Sequence, residues 1–160
     1  MSKPSNPFNP RVALPAGVAV LVLGALAAWT NSAVLGPPLG VSIYSALAFP
    51  SQPVNRPRNI IGGHVVGMLV GLLAFHLAGA APYESAFGDS FTMNHALASA
   101  LAVGISIAIE SKLDLVHPPS LATTLVASLG LIRDTNHILG LMVGAVGVAV
   151  AVGIFRRSKA

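Results

Sequence analysis

The chain has 160 residues, 54% of them hydrophobic and 9% charged, with no cysteine and a net charge of +4. Soluble domains carry about 25% charged residues, so this composition excludes a soluble globular domain, and the missing cysteines exclude disulfide and thiolate chemistry. The basic residues fall in loops and termini rather than along one face, which excludes a nucleic-acid-binding surface. What fits is an integral membrane protein of helices rich in Gly and Ala, whose small side chains let backbones approach closely in lipid.

Residues 1–9 are polar and Pro-rich and are expected to be disordered; they do not resemble a secretory leader. Asn9-Pro10 reads as a helix cap followed by proline in the first turn. Helix 1 is predicted over 10–31, long enough to cross a hydrocarbon core roughly 30 Å thick, with Pro15 kinking its first turns. Gly36-Pro37-Pro38 opens a shorter helix over 37–49, which covers only about 20 Å at 1.5 Å per residue. Residues 51–58 form a Pro-rich loop with Arg56 and Arg58. Helix 3 is predicted over 59–80; its Gly63, Gly67 and Gly71 lie four apart, a stripe suited to close helix contact. Residues 81–92 form an acidic loop with Glu84 and Asp89. Helix 4 is predicted over 93–111, and Glu110, Lys112 and Asp114 read as a solvated link. His117-Pro118-Pro119-Ser120 then opens a short helix 5 over 118–132, because a proline pair fits at a helix start and not inside one. Arg133-Asp134-Thr135 make a turn, helix 6 is predicted over 136–155, and residues 156–160 form a basic C-terminus.

The two halves correspond. Gly36-Pro37-Pro38 matches His117-Pro118-Pro119 at an offset of 81, which also pairs Ser42 with Thr123. At an offset of 77, Asn59 pairs with Asn136, Gly63 with Gly140 and Gly67 with Gly144. Each half, 10–80 and 93–155, is a long helix, a proline-opened short helix and a glycine-striped long helix. With six crossings and the N-terminus inside, Lys3, Arg11, Arg56, Arg58, Lys112, Arg156, Arg157 and Lys159 fall inside and Arg133 alone outside. If helices 2 and 5 re-entered instead, the split would be five against four. The positive-inside rule prefers six crossings. The expected fold is therefore all-α: six short transmembrane helices as two inverted three-helix repeats, with both termini cytoplasmic in a bacterial inner membrane.

That geometry suggests a site. Helices 2 and 5 are too short, so chain at 33–36 and 113–117 is expected to dip into the bilayer, which is tolerated only inside protein or along a wet cavity. The two Pro-Pro starts, Pro37-Pro38 and Pro118-Pro119, would then face each other near the midplane. A helix start carries about half a positive charge and unpaired N–H groups, here on Leu39, Gly40, Ser120 and Leu121. Ser42, Ser120, Thr123 and Thr124 add hydroxyl donors, together forming a site for a small monovalent anion. Broken helices at a repeat interface are a known basis for transport sites.

The HPP block at His117–Pro119, the Pro-Arg-Asn-Ile-Ile-Gly-Gly-His run at 57–64 and the Gly-Pro-Pro-Leu-Gly stretch at 36–40 resemble the HPP family of integral membrane proteins. The resemblance covers roughly 9–155. It implies a membrane protein usually described with four spans, and the association of plant chloroplast and cyanobacterial members with nitrite transport implies nitrite as the anion. The positions carried over are Arg58, Asn59, Gly62, Gly63, His64, His117, Pro118 and Pro119. The family block is commonly followed by Ala and Gly; here Ser120 and Leu121 follow.

The remaining residues point to no second chemistry. His76 and His95 read as interfacial, and His137 as solvated at the start of helix 6. The five histidines have no metal-ligand spacing, so neither a metal nor another cofactor is expected. Arg56 and Arg58 set topology or concentrate anions at the inner mouth. His117 suits handling a weak acid's anion with a proton. No Ser/His/Asp set, catalytic carboxylate pair or HExxH is present, so the chain does not read as an enzyme; His117 with Ser120 imitates a base and nucleophile but lacks an orienting acid. The expected function is a channel or a carrier for a small monovalent anion; a non-transporting membrane subunit is the alternative, and an intramembrane enzyme a weaker one. Six short helices make a thin wall, which favours a homo-oligomer in the bilayer.

Overall fold

The structure, a computed structural model, describes residues 10–29, 32, 36–80, 91–132 and 134–157. The elements are α1 Pro10–Trp29, α2 Gly36–Ala48, a single 3-10 turn Pro53–Asn55, α3 Pro57–Leu77, α4 Met93–Lys112, α5 Ser120–Ser128 and α6 Thr135–Arg157. Four helices are long and apolar enough to cross a membrane, over Val12–Trp29, Pro57–Leu77, Met93–Lys112 and Thr135–Ile154. α2 and α5 have 13 and 9 residues, or about 20 and 14 Å. The expected disordered segment 1–9, the chain at 33–35, most of the acidic loop (81–90), Arg133 and the tail at 158–160 lie outside the described residues.

Local chemistry sets the helix ends. α3 starts on Pro57, whose missing N–H is not needed in a first turn, after an extended Arg56. α3, α4 and α5 each stop on a left-handed residue: Gly79 (φ 61°), Asp114 (φ 53°) and Gly130 (φ 69°). In each case the next N–H reaches back to the carbonyl five residues earlier: Ala80 to Phe75, Leu115 to Glu110, Leu131 to Val126. This motif satisfies carbonyls the helix end leaves open. Asp114 is the one described non-glycine residue there, and short polar side chains tolerate that region best. α5 is shorter than the expected 118–132 at both ends. His117–Pro119 form a separate tight turn before it, and Gly130 reverses the chain after it.

Contacts fix the direction of every helix. α3 and α5 run parallel: Gly63 faces His117 and Ser120, Gly67 faces Ser120 and Thr124, and Gly71 faces Thr124, Ala127 and Ser128. The glycine stripe therefore packs inside one chain. A Cβ on Gly67 would lie 2.6 Å from Thr124 Oγ1, and one on Gly71 2.6 Å from Ala127 Cβ. α4 runs against both, pairing Glu110 with Ser120, Ser106 with Thr124 and Ser99 with Ser128. α6 opposes α3, with Gly153 against Pro57, and its Gly144 packs on Leu39 of α2; Gly140 is half-buried. α2 opposes α3, with Ser42 at His64 and Leu39 in one cluster with Met68. α1 opposes α2: Ala16 and Ala19 pack beside Ile43 and Ala46, and Ala27 beside Leu39. Consecutive helices thus alternate in direction, and the 3-10 turn, the start of α3 and the ends of α4 and α6 share one end of the bundle. Large apolar side chains such as Leu14, Leu21, Leu77 and Ile154 cover the outside, the surface a lipid-embedded bundle presents.

Candidate functional site

The link at 113–119 carries the chain from α4 to α5 along the first turns of α3. Away from water its carbonyls need donors. Asn59 Nδ2 donates to Val116 O at 3.1 Å and reaches Asp114 O at 3.5 Å. Arg58 donates to Leu113 O at 2.8 Å. Gly62 and Gly63 make room for the link, since Cβ atoms there would lie 2.7 Å from Leu115 Cδ2 and 2.9 Å from His117 Cβ. The run at 57–64 therefore supplies, in order, a helix start, two donors, two clearances and an imidazole. The Arg58–Asp114 ion pair, 3.7 Å between exposed side chains, adds little.

At the end of this link four buried side chains form a line. His64 Nδ1 lies 2.6 Å from Thr123 Oγ1, and His64 Nε2 lies 2.8 Å from Ser42 Oγ. Ser42 Oγ lies 3.0 Å from His117 Nε2, and His117 Nδ1 lies 2.8 Å from the Val54 carbonyl oxygen. All four side chains have 0% exposure. The two rings sit edge to face with centroids 5.4 Å apart. The Val54 carbonyl can only accept, so it takes the hydrogen on His117 Nδ1. Asn55 holds that carbonyl in place: its Nδ2 donates to Ser45 O and Phe49 O at 2.9 Å each, and its Oδ1 accepts from Ser45 Oγ.

A second polar set stands behind the α5 start. Glu110 Oε2 accepts the His117 N–H at 3.1 Å, and Glu110 Oε1 accepts from Ser120 Oγ at 2.5 Å. Thr124 Oγ1 donates to Ser106 Oγ at 3.3 Å. Glu110 is only 3% exposed, so its expected place in a solvated link is corrected. The helix ends at Lys112, and the link then folds back over the preceding turn. A carboxyl thus stands inside the bundle where none was expected, and it bonds the α5 start rather than the His117 ring.

The sequence-selected residues divide accordingly. Ser42, His64, His117, Ser120, Thr123 and Thr124 converge. Asn59 and Arg58 hold the link beside them. Pro37 and Pro118 are exposed, Pro38 and Pro119 buried. Pro38 contributes its carbonyl, 3.1 Å from Ser42 Oγ. Leu39 belongs to the apolar core, and Gly40 is half-buried, its Cβ position 3.8 Å from Val20. The expected free donors at the α5 start are engaged. The N–H groups of Ser120, Leu121 and Ala122 bond the carbonyls of His117, Pro118 and Pro119, and that of His117 bonds Glu110. The two proline-opened starts do not oppose each other. His117 reaches Ser42 in the middle of α2, and Leu39 packs beside Val126 and Ala127 late in α5. His95, expected at the interface, is fully buried, and its Nδ1 accepts the Thr92 N–H at 3.1 Å. His76 is exposed and His137 half-buried.

Glu110, Asn55, Ser106 and the Val54 carbonyl were not selected from sequence. Only Glu110 left a signal there: a carboxylate within an apolar span, seven residues before His117.

A family profile described as HPP, transmembrane region, matches residues 6–158. A transmembrane protein of Dictyostelium discoideum is 35% identical over 81 residues, covering 51% of this chain and 25% of that protein. The matched part of the chain thus spans about a quarter of the length of that curated relative. No solved structure matches. The HPP turn, the donors and clearances of the 57–64 run and a profile spanning nearly the whole chain make this protein a member of the HPP family of transmembrane proteins.

Proposed function

We propose that this protein carries a small monovalent anion, nitrite foremost, across the membrane. The observation that carries the reading is the line Thr123–His64–Ser42–His117, closed off inside an apolar bundle. Buried polar groups are costly in such a setting and mark pathways more often than packing. The line has no exposed atom set in this state, which favours a carrier that alternates its access over a permanently open channel. The His117 N–H and the Ser120 hydroxyl, now given to Glu110, are the donors an anion takes when the Glu110 carboxyl withdraws. Nitrite as the substrate rests on the family resemblance.

The same reading uses six crossings and inverted repeats. Alternating helix direction brings Arg58, Lys112 and the Arg156-bearing end of α6 to one end, as the positive-inside rule asks. Gly67 of α3 faces Ser120 of α5, and Gly144 of α6 faces Leu39 of α2. Those pairs are equivalent at the offsets 77 and 81, with the halves exchanged. The chain is read as a carrier and not an enzyme, because Ser42 lies in mid-helix with no exposed face for a substrate to approach. A homo-oligomer in a bacterial inner membrane completes the reading.

The test is flux into liposomes holding the purified protein, with nitrite, nitrate, formate and chloride compared. Nitrite-selective flux that falls in Ser120→Ala and Thr123→Val is the expected result. No flux of any anion from folded, inserted protein overturns it and leaves the non-transporting subunit.

A further inference from the structure

The protons on the buried line can be assigned from its chemistry. The Val54 carbonyl can only accept, so His117 Nδ1 carries hydrogen. A neutral ring has one N–H, so His117 Nε2 accepts, and the Ser42 hydroxyl donates to it. Ser42 Oγ then receives the His64 Nε2–H. That leaves His64 Nδ1 as an acceptor for the Thr123 hydroxyl. Every bond runs the same way, from Thr123 to Val54, and the two rings hold opposite tautomers.

Ser42 has a second acceptor in reach, the Pro38 carbonyl at 3.1 Å. With a proton added at His117 Nε2, the Ser42 hydroxyl turns to Pro38 and its oxygen accepts from both rings. A hydroxyl offers one donor and two acceptor sites, so it is fully satisfied with or without the added proton. The site thus takes up one proton without leaving a buried group unpaired, the condition that usually forbids charge in a core.

We propose that Thr123–His64–Ser42–His117–Val54 is a proton relay, joining the bundle interior to the loop at the basic end and moving one proton with each anion. A proton arriving from the interior binds His64 Nδ1, and the Thr123 hydroxyl turns to accept from it. The His64 Nε2–H bond breaks as a new O–H forms on Ser42. The original Ser42 proton passes to His117 Nε2. His117 then releases its Nδ1 proton to water at the loop, so one proton enters and one leaves. Rotation of the hydroxyls and rings restores the starting polarity. The ionisable groups around His117 are His64 from α3, Glu110 from α4 at its backbone N–H, and the exposed Arg58–Asp114 pair at the link; its α2 and α5 neighbours are hydroxyls. The coupling to an anion rests on the transport reading, while the relay itself does not.

Two measurements separate them. Nitrogen NMR of 15N-histidine protein in bilayers reads the tautomers without any transport. The expected spectrum shows His64 as the Nε2–H form and His117 as the Nδ1–H form, with both shifted in Ser42→Ala and only His64 strongly shifted in Thr123→Val. Both rings in one tautomer, or spectra indifferent to Ser42, overturn the relay. In liposomes with an internal pH dye, nitrite entry carries protons in the native protein, and proton movement per anion falls about tenfold or more in Ser42→Ala. Anion flux with an unchanged proton ratio in both folded variants also overturns the relay while sparing transport. The expected tautomers with no anion flux support the relay and overturn its coupling to an anion.

Discussion

Glu110 Oε2 accepts the backbone N–H of His117 at 3.1 Å, across the join between a membrane-spanning helix and the turn that opens α5. Two prolines follow His117, so its N–H is the last donor before the turn at 117–119 closes on itself. Glu110→Ala leaves this N–H buried without a partner and takes from the Ser120 hydroxyl one of its two acceptors. The expected loss is about 1–3 kcal/mol for the unsatisfied donor. Glu110→Gln keeps an acceptor for the N–H and loses much less. Unfolding of both variants in detergent measures the difference, and equal stability of the Ala variant and the native protein would remove Glu110 from the α5 start.

The glycine stripe makes a steric prediction. Cβ atoms on Gly67 and Gly71 would lie 2.9 and 2.6 Å from the carbonyl oxygens of Ser120 and Thr124. Backbone cannot move aside as a flexible side chain can, so α3 and α5 must separate. Gly67→Ala and Gly71→Ala should each cost about 1–3 kcal/mol, and flux should fall with them, because the bonded pair His64 and Thr123 ride on the two helices concerned. Gly104→Ala is the control: nothing lies within 4 Å of its added carbon, and alanine raises helix propensity by about 1 kcal/mol over glycine. Thermal unfolding should rank Gly104→Ala at or above the native protein and the other two below it.

Much of this arrangement was written locally in the chain. Apolar runs mark six helices, and proline pairs and glycine spacing punctuate four of them, because those residues act on their own backbone. Pro118 and Pro119 place the start of α5 to within two residues for the same reason, and Gly130, a usual left-handed stop, is the local mark of its end. What local patterns do not carry is contact between distant segments. Glu110 sits two residues before Lys112 and four before Asp114, a charged run that reads as a solvated helix end. It is buried only because the link folds back across it, which depends on Gly62, Gly63 and Asn59 from another helix. His64 and Ser42 could be selected one by one, yet their alignment with His117 spans 22 and 75 positions and no spacing rule encodes it.

Asn59 and Arg58 are neighbours in sequence that should behave differently. Asn59 is 6% exposed and donates to Val116 O at 3.1 Å, so the amide is itself closed off from solvent. Arg58 reaches Leu113 O from an exposed position, where water can replace it. Asn59→Ala should therefore cost about 1–3 kcal/mol, the penalty for a buried group left unpaired. It should also loosen the link that aims His117 at Ser42. Arg58→Gln should cost well under 1 kcal/mol, as surface ion pairs do. Hydrogen exchange at 113–117 discriminates the two: faster exchange at the His117 N–H in Asn59→Ala, and near-native exchange there in Arg58→Gln. If Arg58→Gln opened the link as widely as Asn59→Ala, the exposed guanidinium and not the buried amide would be what holds it.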